Sequence, residues 1–577
     1  MNYLILLVLT LGLYSISVKI NDYIFKNKEN TIINTFIFSF FFVLIYLINS
    51  YSFISNINSE YFSYIFLIIT LIICLFQRKE ILNYTKIFKS NFNFEDKVII
   101  LILIFYFLII LFPVSDEDSL RYHLAIAKKI NNGSFYENTW FDYITIGTQE
   151  FLSAFALNLK LENFISYTNF LYLIFAIISN IFILKKYKQG SGFFSALILL
   201  SCPYLISLMT SQKFYFLPCF IVSYSIAYLY LEKKINTSII YLILIINIFN
   251  VVTKPTFFPY LIFIGAWLFI IMEGYKKKIT YLISSFLIII ILYYPIYFIK
   301  QKIYSDPFLP YLSINPANID WFSEYNHWLT NFNMDYTDAI QNIYLKSILI
   351  PIKLIVPLTI SDLFKTLGVS LLFLFSFNFK KDKYLVLILL FFILSVIILN
   401  NYQSRWFLPL LIFISIFGKI DKLNLLKKIN YIQLFGVCCI ILPISLISLI
   451  SNISLLDKKI ILHKVVSSMQ VVEEVNKKYN SQKIFSSLNN QYYFDNIVPI
   501  YYPEINRKFD KNYFKRNESD TKLILWRDGL NNTSIKYFVS KNFNCKKYKK
   551  IEEFYYTPRR FYFIPERWKV ELFRLDC

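Results

Sequence analysis

Residues 98–118 read VIILILIFYFLIILFPVSDED, an uncharged run from Val98 to Pro113 followed by three carboxylates, Asp116, Glu117 and Asp118. Such a run reads as a membrane-spanning helix. Only a helix or a closed barrel satisfies its own backbone in hydrocarbon, and a helical crossing takes about 20 residues. The pattern recurs along a chain of 577 residues that is 56% hydrophobic. The runs are continuous Ile/Leu/Phe stretches, not the roughly 10-residue alternating strands of an outer-membrane barrel. The reading is therefore an all-α polytopic membrane protein. Met1 to about Val18 carries its charge after the run, at Lys19, with no small-residue cleavage site, so it reads as a first transmembrane helix rather than a signal peptide.

The net charge of +22 follows from topology. Basic residues sit in short loops between apolar runs, for example Lys185/Lys186/Lys188, Lys276/Lys277/Lys278 and Lys380/Lys381/Lys383. The positive-inside rule assigns these loops to the cytoplasm, which argues against a nucleic-acid partner. Spans near 3–18, 32–50, 60–76, 98–113, 164–184, 192–209, 214–231, 238–252, 256–272, 280–299, 366–379, 384–400, 405–418 and 431–453 satisfy every basic loop. The expectation is about 12–14 transmembrane helices with both termini outside; residues 348–360 read as a span, a re-entrant piece or an interfacial helix.

This divides the chain into a polytopic domain, 1–454, with outer loops 114–163 and 300–346, and a C-terminal extramembrane α/β domain, 455–577. In the first loop Leu120, Leu124, Ala127 and Ile130 recur at helical spacing, with Arg121, Lys128 and Lys129 on other faces. That predicts an amphipathic helix along the membrane surface. Trp321 and Trp328 place the second loop in the headgroup layer. In the C-terminal domain Val465, Met469, Val472 and Val475 predict a helix, and 483–488, 522–526 and 535–539 predict short strands. The seven cysteines form no metal pattern; Cys545 and Cys577 can pair if that domain faces an oxidising compartment. His327 and His463 have no evident partner.

Ser115-x-x-Asp118 fits a loose capping box, and acids in a first turn offset the positive end of a helix. A solvated helix start thus accounts for Asp116, Glu117 and Asp118 without any activity. The setting supplies a second reading. Lys213 (after Gln212), Lys254 and Arg405 all fall on the outer ends of spans, the side disfavoured for positive charge. Each alone reads equally as a snorkelling side chain. Three on the face of a carboxylate loop suggest a site for an anionic lipid headgroup.

Asp118-Ser119-Leu120-Arg121-Tyr122, followed by Gly133 and Phe135, resembles the first outer loop of GT-C glycosyltransferases. The bacterial branch related to protein mannosyltransferases and lipid A aminoarabinose transferases is the most similar. Its pattern has an Asp-Glu pair, then a Tyr and a Gly at fixed distances, which puts the key Asp on Asp118 and Ser119 in the Glu position. A register using Asp116-Glu117 as the pair shifts Tyr and Gly by two. Thr148-Gln149-Glu150-Phe151-Leu152 and Ser404-Arg405-Trp406-Phe407-Leu408-Pro409 are similar to later elements of that branch.

The resemblance implies an integral membrane glycosyltransferase of the bacterial inner membrane, working at the periplasmic face. The donor would be a polyprenyl-phosphate-linked sugar, the acceptor a lipid, glycan or protein. Asp118 would be the base, helped by Asp116 or Glu117. Arg405, Lys213 and Lys254 would hold the phosphate, with Tyr122, Arg121, His123 and Glu150 as further binding residues. Asp116-x-Asp118 also has the spacing for a divalent cation such as Mg or Mn. A polyprenyl-linked oligosaccharide polymerase or ligase shares this substrate. A lipid or solute transporter or flippase also has many spans, but usually carries mid-span charges, broken helices or repeats. The span centres here are nearly free of charge.

Overall fold

The computed structural model describes residues 2–25, 30–78, 93–114, 116, 118–133, 146–187, 191–232, 234–304, 352–357, 364–377, 382–398, 403–418, 423–452, 462–463, 466, 468–479, 482–488, 491–494, 497–500, 513–527, 535–556 and 568–576. It contains two compact units. One comprises Met1–Phe112, Gly147–Pro295 and Asn331–Leu449; the other comprises Pro113–Ile146, Ile296–Thr330 and Ile450–Cys577. Segments expected as loops of the membrane domain thus group with the C-terminal residues.

The helices are α1 (Asn2–Ile20), α2 (Thr31–Ile54), α3 (Ser59–Phe76), α4 (Phe94–Ile110), α5 (Leu124–Asn131), α6 (Thr148–Asn158), α7 (Phe164–Lys186), α8 (Gly192–Leu200), α9 (Tyr204–Thr210) and α10 (Phe216–Leu231). They continue with α11 (Thr237–Thr253), α12 (Phe258–Ile271), α13 (Tyr275–Tyr304), α14 (Lys383–Ile398), α15 (Leu408–Phe417), α16 (Asn424–Asn452), α17 (Met469–Tyr479), α18 (Tyr513–Asn517) and α19 (Ile535–Asn542).

Among the described residues, six helices are long and apolar enough to cross a membrane, namely α1, α2, α3, α7, α13 and α16. The pair α8 and α9, bent by 68°, makes up to seven, and α10, α11, α12, α14 and α15 belong to shorter apolar segments. The chain is thus built as a multi-pass membrane protein. Every expected span but one coincides with one of these elements or with α4. The exception is 366–379, which holds a 3-10 helix over Val369–Ser376. Its eight residues at about 2.0 Å each cover about half of a 30 Å hydrocarbon core, so it is no crossing. Residues 305–351, with Trp321, His327 and Trp328, lie outside the described residues, as does most of 348–360.

Asparagine starts several of these helices. Asn30, Asn58 and Asn236 accept amide protons from the first turns of α2, α3 and α11, and Asn93 forms a reciprocal capping box with Asp96 at α4. These side chains satisfy donors that have no partner within the helix. Gly12 lets α1 meet α3 closely: a Cβ there would stand 2.8 Å from the Thr70 carbonyl. Buried amides and hydroxyls join other helices. Asn180 of α7 donates to Ser195 of α8 at 2.7 Å and to Ser415 of α15 at 2.9 Å. Small and polar residues hold helices together in lipid, where apolar burial gives little preference for one neighbour over another.

The second unit contains a five-stranded sheet of β1 (Ile484–Ser486), β2 (Ile497–Pro499), β3 (Leu523–Arg527), β4 (Tyr548–Tyr556) and β5 (Trp568–Leu575), in the order β2-β1-β3-β5-β4. The β1–β2 and β1–β3 pairs are parallel; β3–β5 and β4–β5 are antiparallel. Both faces of β3 are buried, as its alternation dictates. Leu523 and Leu525 pack with Val471, Val472 and Val475 of α17, while Ile524 and Trp526 pack with Phe514 of α18 and Phe538 and Val539 of α19. Full burial of one such side chain is worth about 1.5–3 kcal/mol. The strand expected at 535–539 is instead helix α19. Its buried positions are Phe538, Val539 and Asn542, a helical spacing, while Tyr537 stays half exposed. Cys545 is disulfide-bonded, and Cys577 lies outside the described residues. His463 meets Glu473 at 3.0 Å.

Glu553 and Glu571 face each other across β4 and β5, an unfavourable pair of like charges. Lys569 relieves it, at 2.6 Å from Glu571 and 3.0 Å from Glu553, as does Lys550 at 3.0 Å from Glu571. Burial raises the Glu571 carboxyl, but bonds from both lysines bring it below its ordinary 4.5. The ion pairs therefore stabilise the fold above the unfolded carboxyl value, and that contribution is lost as pH falls through the lower folded value. The domain of wild type should lose more thermal stability on acidification than that of Glu571→Gln, measured by unfolding midpoints from neutral pH down to about 3. The difference at neutral pH should be small, roughly 0.2–1 kcal/mol, and reduced by salt.

Candidate anion-binding site

The helix break that follows α8 builds the site in the first unit. Pro203 has no amide proton, and the chain turns there by 68° into α9. After Thr210 the backbone leaves helical geometry, with Ser211 extended at φ −117° and ψ 153°. Irregular backbone in a membrane region needs partners supplied by the protein. Three buried side chains supply them. Gln149 of α6 accepts from the Phe214 amide at 3.1 Å and donates to the Gln212 carbonyl. Ser166 of α7 donates to the Ser211 carbonyl at 2.8 Å. Asn169 of α7 donates to the Lys213 carbonyl at 2.8 Å and accepts from the Phe216 amide at 3.2 Å. Gln212 returns its side chain to Ser166 at 2.7 Å and accepts from the Ile165 amide at 3.1 Å.

That scaffold fixes Tyr215. Lys254 lies at the C-terminal end of α11, where Pro255 and a 3-10 turn interrupt the helix. Its Nζ stands 4.4 Å from the centre of the Tyr215 ring. Arg405 lies on a 3-10 turn, Ser404–Phe407, that leads into α15. Its guanidinium carbon is 5.3 Å from the Tyr215 ring and 5.4 Å from the Trp406 ring. The two rings meet edge to face at 5.7 Å. The positive charges of Arg405, Lys254 and Lys213 all act on the buried Tyr215 hydroxyl. Aromatic faces attract cations through their ring quadrupole. The resulting field suits a phosphate or carboxylate, and a planar guanidinium can grip such a group with two parallel bonds.

The acidic segment belongs to the second unit. The Asp116 carboxylate accepts both the Ser119 amide, at 3.0 Å, and the Ser119 hydroxyl, at 2.8 Å. Asp116 makes this cap rather than the expected Ser115–Asp118 pair; Ser115 lies outside the described residues. Asp118 sits in helical geometry at φ −63° and ψ −37° with no capping bond, ahead of a π-helical turn, Ser119–His123, that runs into α5. Gly133 ends this element at φ +68°, a left-handed position that favours glycine at a helix C-terminus.

A family described as DUF1420 N-terminal domain matches residues 1–475, which include both the three cations and the acidic segment. The chain belongs to the DUF1420 family. Its members are bacterial membrane proteins. No curated protein and no solved structure matches this DUF1420 chain.

Within it the structure places Lys254 and Arg405 at one ring, that of Tyr215, with Lys213 two residues before that tyrosine in the chain. Glu150 does something else, since its buried carboxylate accepts the Gly147 amide at 2.8 Å and caps α6. Arg121 is buried, at 8% exposure, where a solvated face was expected. His123 is buried as well, and its ring centre is 4.2 Å from that of Tyr122. Leu120, Leu124, Ala127 and Ile130 are covered by protein, so α5 is not the lipid-facing helix its periodicity predicts. Glu117 and Phe135 lie outside the described residues. Among the described residues no three metal-binding side chains converge, at Asp116 and Asp118 or elsewhere. Sequence reasoning missed Tyr215, Trp406 and Asn169. The one available signal was the polar interruption Ser211-Gln212-Lys213 between apolar runs.

Proposed function

We propose that this DUF1420 protein is a membrane glycosyltransferase of GT-C type that uses a polyprenyl-phosphate-linked sugar. The observation carrying the reading is the convergence of Lys254 and Arg405 on Tyr215 beside a helix break. In the proposed reaction an acceptor hydroxyl attacks the anomeric carbon with inversion. The bond from that carbon to the phosphate oxygen breaks, and its electron pair leaves with polyprenyl phosphate. The cations offset the charge that develops on that oxygen. Asp118 takes the hydroxyl proton, while Asp116 keeps the segment in shape. The site would face the periplasm, in keeping with a disulfide at Cys545.

The test is incubation of purified full-length protein with radiolabelled polyprenyl-phosphate sugars and a membrane acceptor extract. Label is expected in the acceptor, and absence of transfer from every donor would sink the proposal. A second reading has one observation in its favour. A discontinuous helix pair, α8 and α9, is the kind of element by which transporters bind substrates. Movement of labelled polyprenyl phosphate across proteoliposomes without sugar transfer would select that reading.

A further inference from the structure

We infer that the C-terminal domain holds the acidic segment in its working geometry, with Lys128 and Tyr493 as positioning residues. All the contacts lie within the second unit. Lys128 Nζ donates to the carbonyls of Tyr492, at 3.1 Å, and Phe494, at 2.9 Å. It also stands 5.8 Å from the centre of the Tyr492 ring. Tyr493 donates its hydroxyl to the Val114 carbonyl at 3.3 Å. Residues 492–494 therefore grip the acidic segment on both sides of Asp116 and Asp118, once before them and once after. The turn is itself braced from below: Asn476 of α17 donates to the Tyr493 carbonyl at 2.9 Å, and Phe494 belongs to the sheet core.

The position of this turn in the sheet gives the clamp its meaning. Residues 491–494 connect β1 to β2 on one side of β1, while β3 lies on the other side of β1 and continues to β5 beyond it. The carboxyl ends of β1 and β3 are thus a topological switch point, where open α/β sheets usually take a ligand. Here the loop leaving β1 at that end takes a helix of the same chain. A carboxylate acting as a base must be held within about 0.5 Å, and a segment between two anchors meets that need better than a free loop. The cations Lys128 and Arg405 consequently have separate roles, one fixing a catalytic segment and the other meeting the substrate.

The catalytic consequence rests on the transferase reading, so the experiment has two readouts. In Lys128→Met the aliphatic stem stays and the ammonium goes. Deuterium uptake of peptides covering 114–131 should rise, with uptake of β3 unchanged. Sugar transfer should fall on the order of 10- to 100-fold in kcat, with donor KM little altered, and Lys128→Arg should restore part of it. Tyr493→Phe removes the other anchor alone and should raise uptake near Val114. Unchanged uptake in both variants overturns the clamp. Raised uptake with unchanged kcat overturns the positioning role. Raised uptake in a protein whose wild type transfers no sugar supports the clamp and removes the transferase reading alone.

Discussion

Replacing Arg405 by alanine is expected to lower the proposed sugar transfer about 10²–10³-fold, the usual loss when one donor to a developing oxyanion is removed. Of Lys213, Lys254 and Arg405, Arg405 alone combines a fixed charge with a planar fork, and it lies close to both the Tyr215 and Trp406 rings. Arg405→Lys keeps the charge but neither the fork nor the stacking, so it should recover only part of the rate. Lys254→Ala should cost less than Arg405→Ala, because it removes a point charge and leaves the guanidinium fork in place. The check is transfer kinetics at several salt concentrations, with helical content followed by circular dichroism. If Arg405→Ala is folded and transfers sugar at the wild-type rate, the cation cluster is not a phosphate site.

Under the proposed function, Asp118→Asn should lower transfer by about 10²–10⁴-fold, whereas Asp116→Asn should leave it within a few-fold of wild type. The contrast follows from the bonds Asp116 makes in the structure and the role proposed for Asp118. Asp116 accepts two bonds from Ser119, and asparagine caps a helix about as well as aspartate does. An amide at position 116 therefore preserves the local geometry. At position 118 it removes the proposed proton acceptor. A pH–rate profile should show the acidic limb in wild type and Asp116→Asn. Loss confined to Asp116→Asn would transfer the base to Asp116 and undo the assignment.

The helices were legible because hydrocarbon imposes one strong requirement, and runs such as 164–184 or 214–231 meet it in composition alone. What the sequence hid depends on contacts distant along the chain. The 366–379 run has the composition of a span, yet its backbone takes 3-10 form over Val369–Ser376. Residues 535–539 are rich in strand formers, but burial of Phe538, Val539 and Asn542 on one face decides for a helix. The candidate site divides in the same way. Lys213, Lys254 and Arg405 stood out because charge at such positions is costly. Tyr215 and Asn169 did not, since tyrosine and asparagine are abundant in this chain and only the fold shows which of them matter. The acidic segment was conspicuous, but the partition of Asp116 to capping could not be read from spacing alone.

The non-helical stretch from Ser211 to Tyr215 has a consequence for biogenesis. Its peptide groups are bonded by Gln149, Ser166 and Asn169, which enter the membrane earlier in synthesis, while Lys254 and Arg405 arrive with later segments. No single hairpin of the chain carries the site. It comes into existence only when α6, α7, the stretch after α9, the end of α11 and the turn before α15 have found one another. A misassembled copy leaves peptide groups without partners in lipid, each at a cost of several kcal/mol, so the order in which these segments meet matters to whether the chain survives assembly.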